Sequence, residues 1–62
     1  MTNPVRYIHI KSGAVYYMVG TALNATNAQD GERVVIYHKP DQPEQLFVRE
    51  ATEFHLKFQR LQ

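Results

Sequence analysis

Cysteine and tryptophan are absent from this chain, and glycine and proline occur only three times each. Without cysteine there can be no disulfide framework and no thiolate metal site. Long apolar runs are missing too: nothing approaches the roughly 20 residues that cross a bilayer as a helix. Charge of one sign is not in excess, with seven basic and six acidic residues giving a net charge of +1. A protein held to nucleic acid chiefly by phosphate contacts carries a basic surplus or stripe. Strong non-specific nucleic-acid binding is therefore not expected. Met1-Thr2-Asn3-Pro4 lacks the charged and apolar regions of a signal peptide, so the expected location is the cytoplasm. Asn24-Ala25-Thr26 fits the glycosylation pattern, but without a secretion signal it reads as a polar loop.

What is present is strand. At 62 residues there is room for one domain, residues 1–62, with a marginal core that buries only about 60 % of the surface of the unfolded chain. Such domains need a staple or a partner, and here only a well-packed β core, oligomerisation or both remain. Val5 to Ile10 is rich in β-formers and ends at a Ser12-Gly13 turn. Ala14 to Leu23 reads as a long strand in which Gly20 marks a bulge or bend. Asn24 to Gly31 is a loop closed by Asp30-Gly31. Arg33 to His38 carries the Val34-Val35-Ile36-Tyr37 run, and Pro40, Asp41 and Pro43 make Lys39 to Glu44 a loop. Gln45 to Arg49 is a short fourth strand, followed by a single 3₁₀ turn over Glu50 to Glu53. Phe54, Leu56 and Phe58 then alternate with His55, Lys57 and Gln59, which favours a fifth strand with one dry face. Helix is the alternative for residues 50–62, where neither glycine nor proline occurs.

These elements predict an all-β domain, a five-stranded SH3-like barrel or rolled antiparallel meander. Its middle strands are apolar on both sides: Val34 and Ile36 oppose Val35 and Tyr37, and Tyr16 and Met18 oppose Tyr17 and Val19. A lone small sheet needs one dry face, so the other is expected to meet a partner or ligand, most economically a second copy.

With the strands in place, the chain resembles the small bacterial and phage proteins of the domain of unknown function 1653 family. The resemblance rests on Tyr7-Ile8-His9-Ile10-Lys11-Ser12-Gly13, Tyr16, Val19-Gly20-Thr21-Ala22, Val34-Val35-Ile36-Tyr37, Phe47-Val48-Arg49 and Phe54. It spans Tyr7 to about Phe54. Where the family usually has arginine, tryptophan and proline, this chain has His38, Phe47 and Glu50. The resemblance implies a small β fold and brings no activity with it.

For chemistry, His9, His38 and His55 lie on different predicted strands with no local ligand spacing, so no metal site is expected. Ser12, the sole serine, sits in a turn, and the two aspartates, Asp30 and Asp41, sit in loops. Neither a catalytic set nor a cofactor is expected in so small a domain. The candidate ligand-binding set is Tyr7, His9, Lys11, Tyr16, Tyr37, His38, Phe47 and Arg49, with Tyr17 nearby. Tyrosine offers a stackable ring with a hydroxyl, and arginine a planar fork for phosphate or carboxylate. Aromatics beside cations suit a nucleotide or a short single strand. Taken singly, each of these residues fits plain strand packing or a surface ion pair equally well.

The expected function is therefore non-enzymatic: an oligomer that binds a small anionic ligand such as a nucleotide. In a phage setting, in host cytoplasm, it would sequester that ligand. A protein-interaction module with a tyrosine-rich gripping face is the alternative. A weak single-strand nucleic-acid binder comes third.

Overall fold

The computed structural model of the chain describes residues 5–25 and 31–61. Its strands are β1 (Val5–His9), β2 (Val15–Asn24), β3 (Glu32–Lys39), β4 (Gln42–Glu50) and β5 (Phe58–Arg60), with helix α1 (Ala51–Lys57) before the last. All neighbours are antiparallel, in the order β4-β3-β2-β1-β5. This is the expected meander, with β5 returning beside β1. The sheet is not a closed barrel, because β4 and β5 remain its two edges.

Local chemistry explains the connections. Gly13 closes the β1–β2 turn at φ +77°, a left-handed conformation that glycine adopts without a Cβ penalty. Its N–H donates to the His9 carbonyl at 2.7 Å. Gly31 (φ +85°) donates to the Asn24 carbonyl at 2.8 Å as the chain enters β3. The loop reading for Asn24 to Gly31 otherwise falls on residues 26–30, outside the described residues, and Asp30 and Thr26 with it. At Gly20 the β2–β3 register shifts by one residue, between Met18 and Gly20, as a bulge requires.

Two sequence expectations are corrected. Lys39 to Glu44 is not a loop throughout: Pro40 and Asp41 make the turn, and β4 begins at Gln42. Pro43 is tolerated there because β4 is an edge strand with one side free of ladder bonds. The second correction concerns Glu50 to Phe58, read as a 3₁₀ turn and then a strand. The segment is instead α-helix from Ala51 to Lys57, and the strand is only Phe58–Arg60. The Glu50 carboxylate caps the helix, accepting the N–H groups of Thr52 and Glu53 at 3.0 Å each. Ala51 and Phe54, three residues apart, then face the core, while Leu56 turns out to solvent at 74 % exposure.

The core lies between the sheet and α1. Tyr7, Val35, Tyr37, Phe54 and Phe58 are buried, with Val5, Tyr16, Met18, Phe47 and Ala51 packed against them. Phe54 and Phe58 stack at 4.3 Å between ring centroids, 7° from parallel. Around them Tyr7 meets Phe54 edge-on at 4.9 Å, and Tyr37 lies 5.2 Å from Phe54 and 5.3 Å from Phe58. Aromatic pairs of this kind are worth about 0.5–1.5 kcal/mol each beyond the area they bury. The helix runs from edge strand β4 to edge strand β5, so it covers the side of the sheet that closure of a barrel would otherwise seal.

Candidate functional site

Alternation along the strands divides the candidate residues. Tyr7, Tyr16, Tyr37, Phe47 and Arg49 all project toward the helix side. Register pairs Tyr7 with Tyr16 and Tyr37 with Phe47. The rings of Tyr7 and Tyr37 are buried, and Tyr16 and Phe47 are half-buried against them. Arg49 donates from Nε to the Tyr37 hydroxyl at 3.3 Å and from a terminal nitrogen to Glu53 Oε1 at 3.3 Å. Its guanidinium also lies 5.9 Å from the Phe58 ring centre. The Tyr37 hydroxyl, followed by Glu53, raises the arginine pKa above its ordinary value. The fork is thus engaged with groups of its own chain, and the Glu53 pair is an exposed one of small energetic weight.

His38 is on the opposite side of the sheet, paired with Tyr17 and in edge contact with it at 5.8 Å. It is buried, and its Nδ1 lies 2.7 Å from the Lys39 carbonyl. A carbonyl only accepts, so Nδ1 carries the proton. Two candidates, His9 and Lys11, come together elsewhere, where β1 runs into its turn. His9 packs edge-on to Phe58 at 4.9 Å. Its Nδ1 accepts the Ser12 N–H at 3.2 Å, which leaves the proton of the neutral ring on Nε2. The Ser12 hydroxyl lies 2.9 Å from the same Nδ1 and accepts the Ala14 N–H at 3.3 Å. A serine beside a histidine has the outline of a nucleophile and its base, but here both atoms are tied into the turn. The contact locks the hairpin.

Next to this turn lies a shallow recess of about 270 Å³, lined by His9, Ile10, Lys11, Leu56 and Lys57. It forms because the Ile10 N–H donates to the Lys57 carbonyl at 2.9 Å, clamping the end of α1 to the end of β1. The clamp sets two lysines and one imidazole around Ile10 and Leu56, which are 59 % and 74 % exposed. The volume falls just short of the roughly 300 Å³ at which small-molecule pockets usually begin. It suits one charged group of a ligand better than a whole cofactor. No family model, curated protein or solved structure matches this chain. The site is therefore read from its own geometry.

Sequence reasoning found His9 and Lys11 and missed Ile10, Leu56 and Lys57. The signal for the last two depended on α1, which carries Leu56 outward and brings Lys57 to β1. Read as a strand, the same segment puts Leu56 on the dry face. Among the described residues no three histidine, aspartate or glutamate side chains converge as metal ligands, and no helix is long and apolar enough to cross a membrane.

Proposed function

We propose that this chain is a non-enzymatic binding module that takes a small anionic ligand, such as a nucleotide, at the recess between the β1 turn and the end of α1. The observation that carries this reading is the convergence of His9, Lys11 and Lys57 on a rim that also presents Ile10 and Leu56. Two ammonium groups and an imidazole N–H are donors without competing acceptor character, the complement of a phosphate or carboxylate. The exposed apolar pair offers a bed for the uncharged part of the ligand. Tyr7 and Tyr37 support the site from behind, since their rings pack the core that holds Phe58 against His9. In a phage setting this role takes the form of sequestration. The alternative, a tyrosine-rich gripping face for a protein, draws less support because Tyr7 and Tyr37 are buried.

Native mass spectrometry of the full chain with a panel of nucleoside mono- and diphosphates tests the proposal. A discrete adduct is expected, lost in a Lys11→Ala/Lys57→Ala double variant and retained in Arg49→Ala. No adduct with any member of the panel, or an adduct indifferent to both lysines, overturns it.

A further inference from the structure

The contact between Ser12 and His9 does more than close a hairpin, because an imidazole has two ends. Nδ1 faces Ser12, with the hydroxyl at 2.9 Å and the backbone N–H donating at 3.2 Å. The same ring lines the recess beside Lys11 and Lys57. A neutral imidazole has one acceptor nitrogen and one donor nitrogen, whereas a charged one has two donors. With Nδ1 as the acceptor, the neutral ring satisfies the turn and offers a single N–H at Nε2.

Ser12 can serve both forms of the ring. A serine hydroxyl carries one donor hydrogen and two acceptor lone pairs. One lone pair takes the Ala14 N–H at 3.3 Å, and the other can accept a proton carried on Nδ1. In that form the Ser12 N–H loses its acceptor, and in this exposed turn it passes to water. The charges around the ring decide which form prevails. Lys11 in the turn and Lys57 at the end of α1 line the recess with His9, and no carboxylate lines it. Phe58 of β5 meets the ring edge-on at 4.9 Å, and Ala14 stands across the hairpin; neither titrates. His55, also on α1, turns instead to Tyr7 and Phe54. Two ammonium groups oppose a third positive charge, and a dianion lying among them reverses that balance.

We propose that Ser12 is a positioning residue for His9, and that the pair makes anion binding at the recess take up a proton. This coupling rests on the recess being the anion site proposed above. When the anion binds, it accepts from Nε2–H, a proton from solvent joins Nδ1, and the Ser12 hydroxyl accepts from the new N–H. No covalent bond between heavy atoms changes. Linkage is reciprocal, so a site that gains a proton with its anion binds that anion more tightly as pH falls. Histidine ordinarily makes this change between about pH 8 and about pH 5, a range in which lysine keeps its charge.

Inorganic sulfate is the probe, since it keeps both charges across this range and any pH dependence then belongs to the protein. The ¹⁵N-labelled full chain is titrated with sulfate at about pH 7.5 and about pH 5.5, at constant ionic strength. Amide shifts are expected at Ile10, Lys11 and Lys57, with an affinity at least about fivefold higher at the lower pH. His9→Asn keeps an oxygen for the Ser12 N–H but has no proton to gain, and Ser12→Ala removes the hydroxyl that accepts from Nδ1–H. In both variants the gain is expected to shrink below about twofold, while His55→Gln keeps it. Equal affinity at the two pH values in the parent overturns the proposal and leaves the recess reading standing. A full gain in His9→Asn or in Ser12→Ala also overturns it. Shifts centred away from the recess, or none at either pH, overturn both.

Discussion

Replacing Leu56 and Phe54 in turn distinguishes the helix from the strand that the alternating pattern invites. In the structure Phe54 is fully buried and touches Tyr7, Tyr37 and Phe58, whereas Leu56 is 74 % exposed. Phe54→Leu keeps most of the apolar area but loses the stacked contact with Phe58 and the ring contacts with Tyr7, Tyr37 and His55, a cost of about 2 kcal/mol. Leu56→Ala removes a side chain that is mostly in water, and its effect is expected within about 0.5 kcal/mol of zero. For 62 residues the unfolding entropy is about 0.13 kcal/mol/K, so each kcal/mol moves Tm by about 8 °C. Thermal melts followed by circular dichroism should then show a fall of about 15 °C for Phe54→Leu and at most about 4 °C for Leu56→Ala. Were residues 54–58 a strand with Phe54, Leu56 and Phe58 all on the dry side, Leu56→Ala would cost about 2–5 kcal/mol. A Tm loss for Leu56→Ala as large as that for Phe54→Leu refutes the helix and the recess built on it.

Other expectations follow from single contacts. Thr52 and then Glu53 donate backbone N–H groups to Glu50 and hold its carboxyl below the ordinary value of 4.5. Its contribution to stability is complete above that value and is lost as pH falls through the lowered one. Melts from about pH 6 to about pH 3 should therefore be flatter for Glu50→Gln than for the parent, and identical slopes would rule out the cap. Tyr37→Phe removes the hydroxyl that accepts from Arg49 while keeping the ring, and is expected to cost about 0.5–1 kcal/mol in urea denaturation. In an Arg49→Ala background that cost should disappear; an undiminished cost contradicts the contact. Gly13→Ala forces a Cβ into φ +77° and is expected to cost about 1–2 kcal/mol. Gly20→Ala meets open space without positive φ and is expected to be neutral or slightly stabilising, so equal losses at the two glycines would overturn the turn geometry.

The first three strands, the Gly13 turn and the Gly20 bulge were legible in the sequence because each rests on local chemistry: β-branched runs, a left-handed glycine, a glycine inside a strand. The start of β4 was not, since Pro43 is compatible with a strand only at an edge, and edge position is a property of the sheet. Nor was α1. Phe54 and Phe58 are four residues apart, a spacing that places them on one side of either a strand or a helix. The cap that starts this helix is a glutamate, outside the usual serine, threonine, aspartate and asparagine signal. Within the candidate site, the cations of the β1 turn could be read from the chain. Their juxtaposition with Lys57 and Leu56 arises only when α1 docks, and no spacing along the sequence encodes it.

The most direct test of the binding reading is a titration of the ¹⁵N-labelled full chain with adenosine monophosphate, followed by amide shifts and checked against inorganic phosphate. Saturable shifts confined to His9, Ile10, Lys11, Leu56 and Lys57, and absent from the strand positions around Ile36 and Val48, are predicted. Shifts centred elsewhere, or none at either ligand's solubility limit, would contradict it.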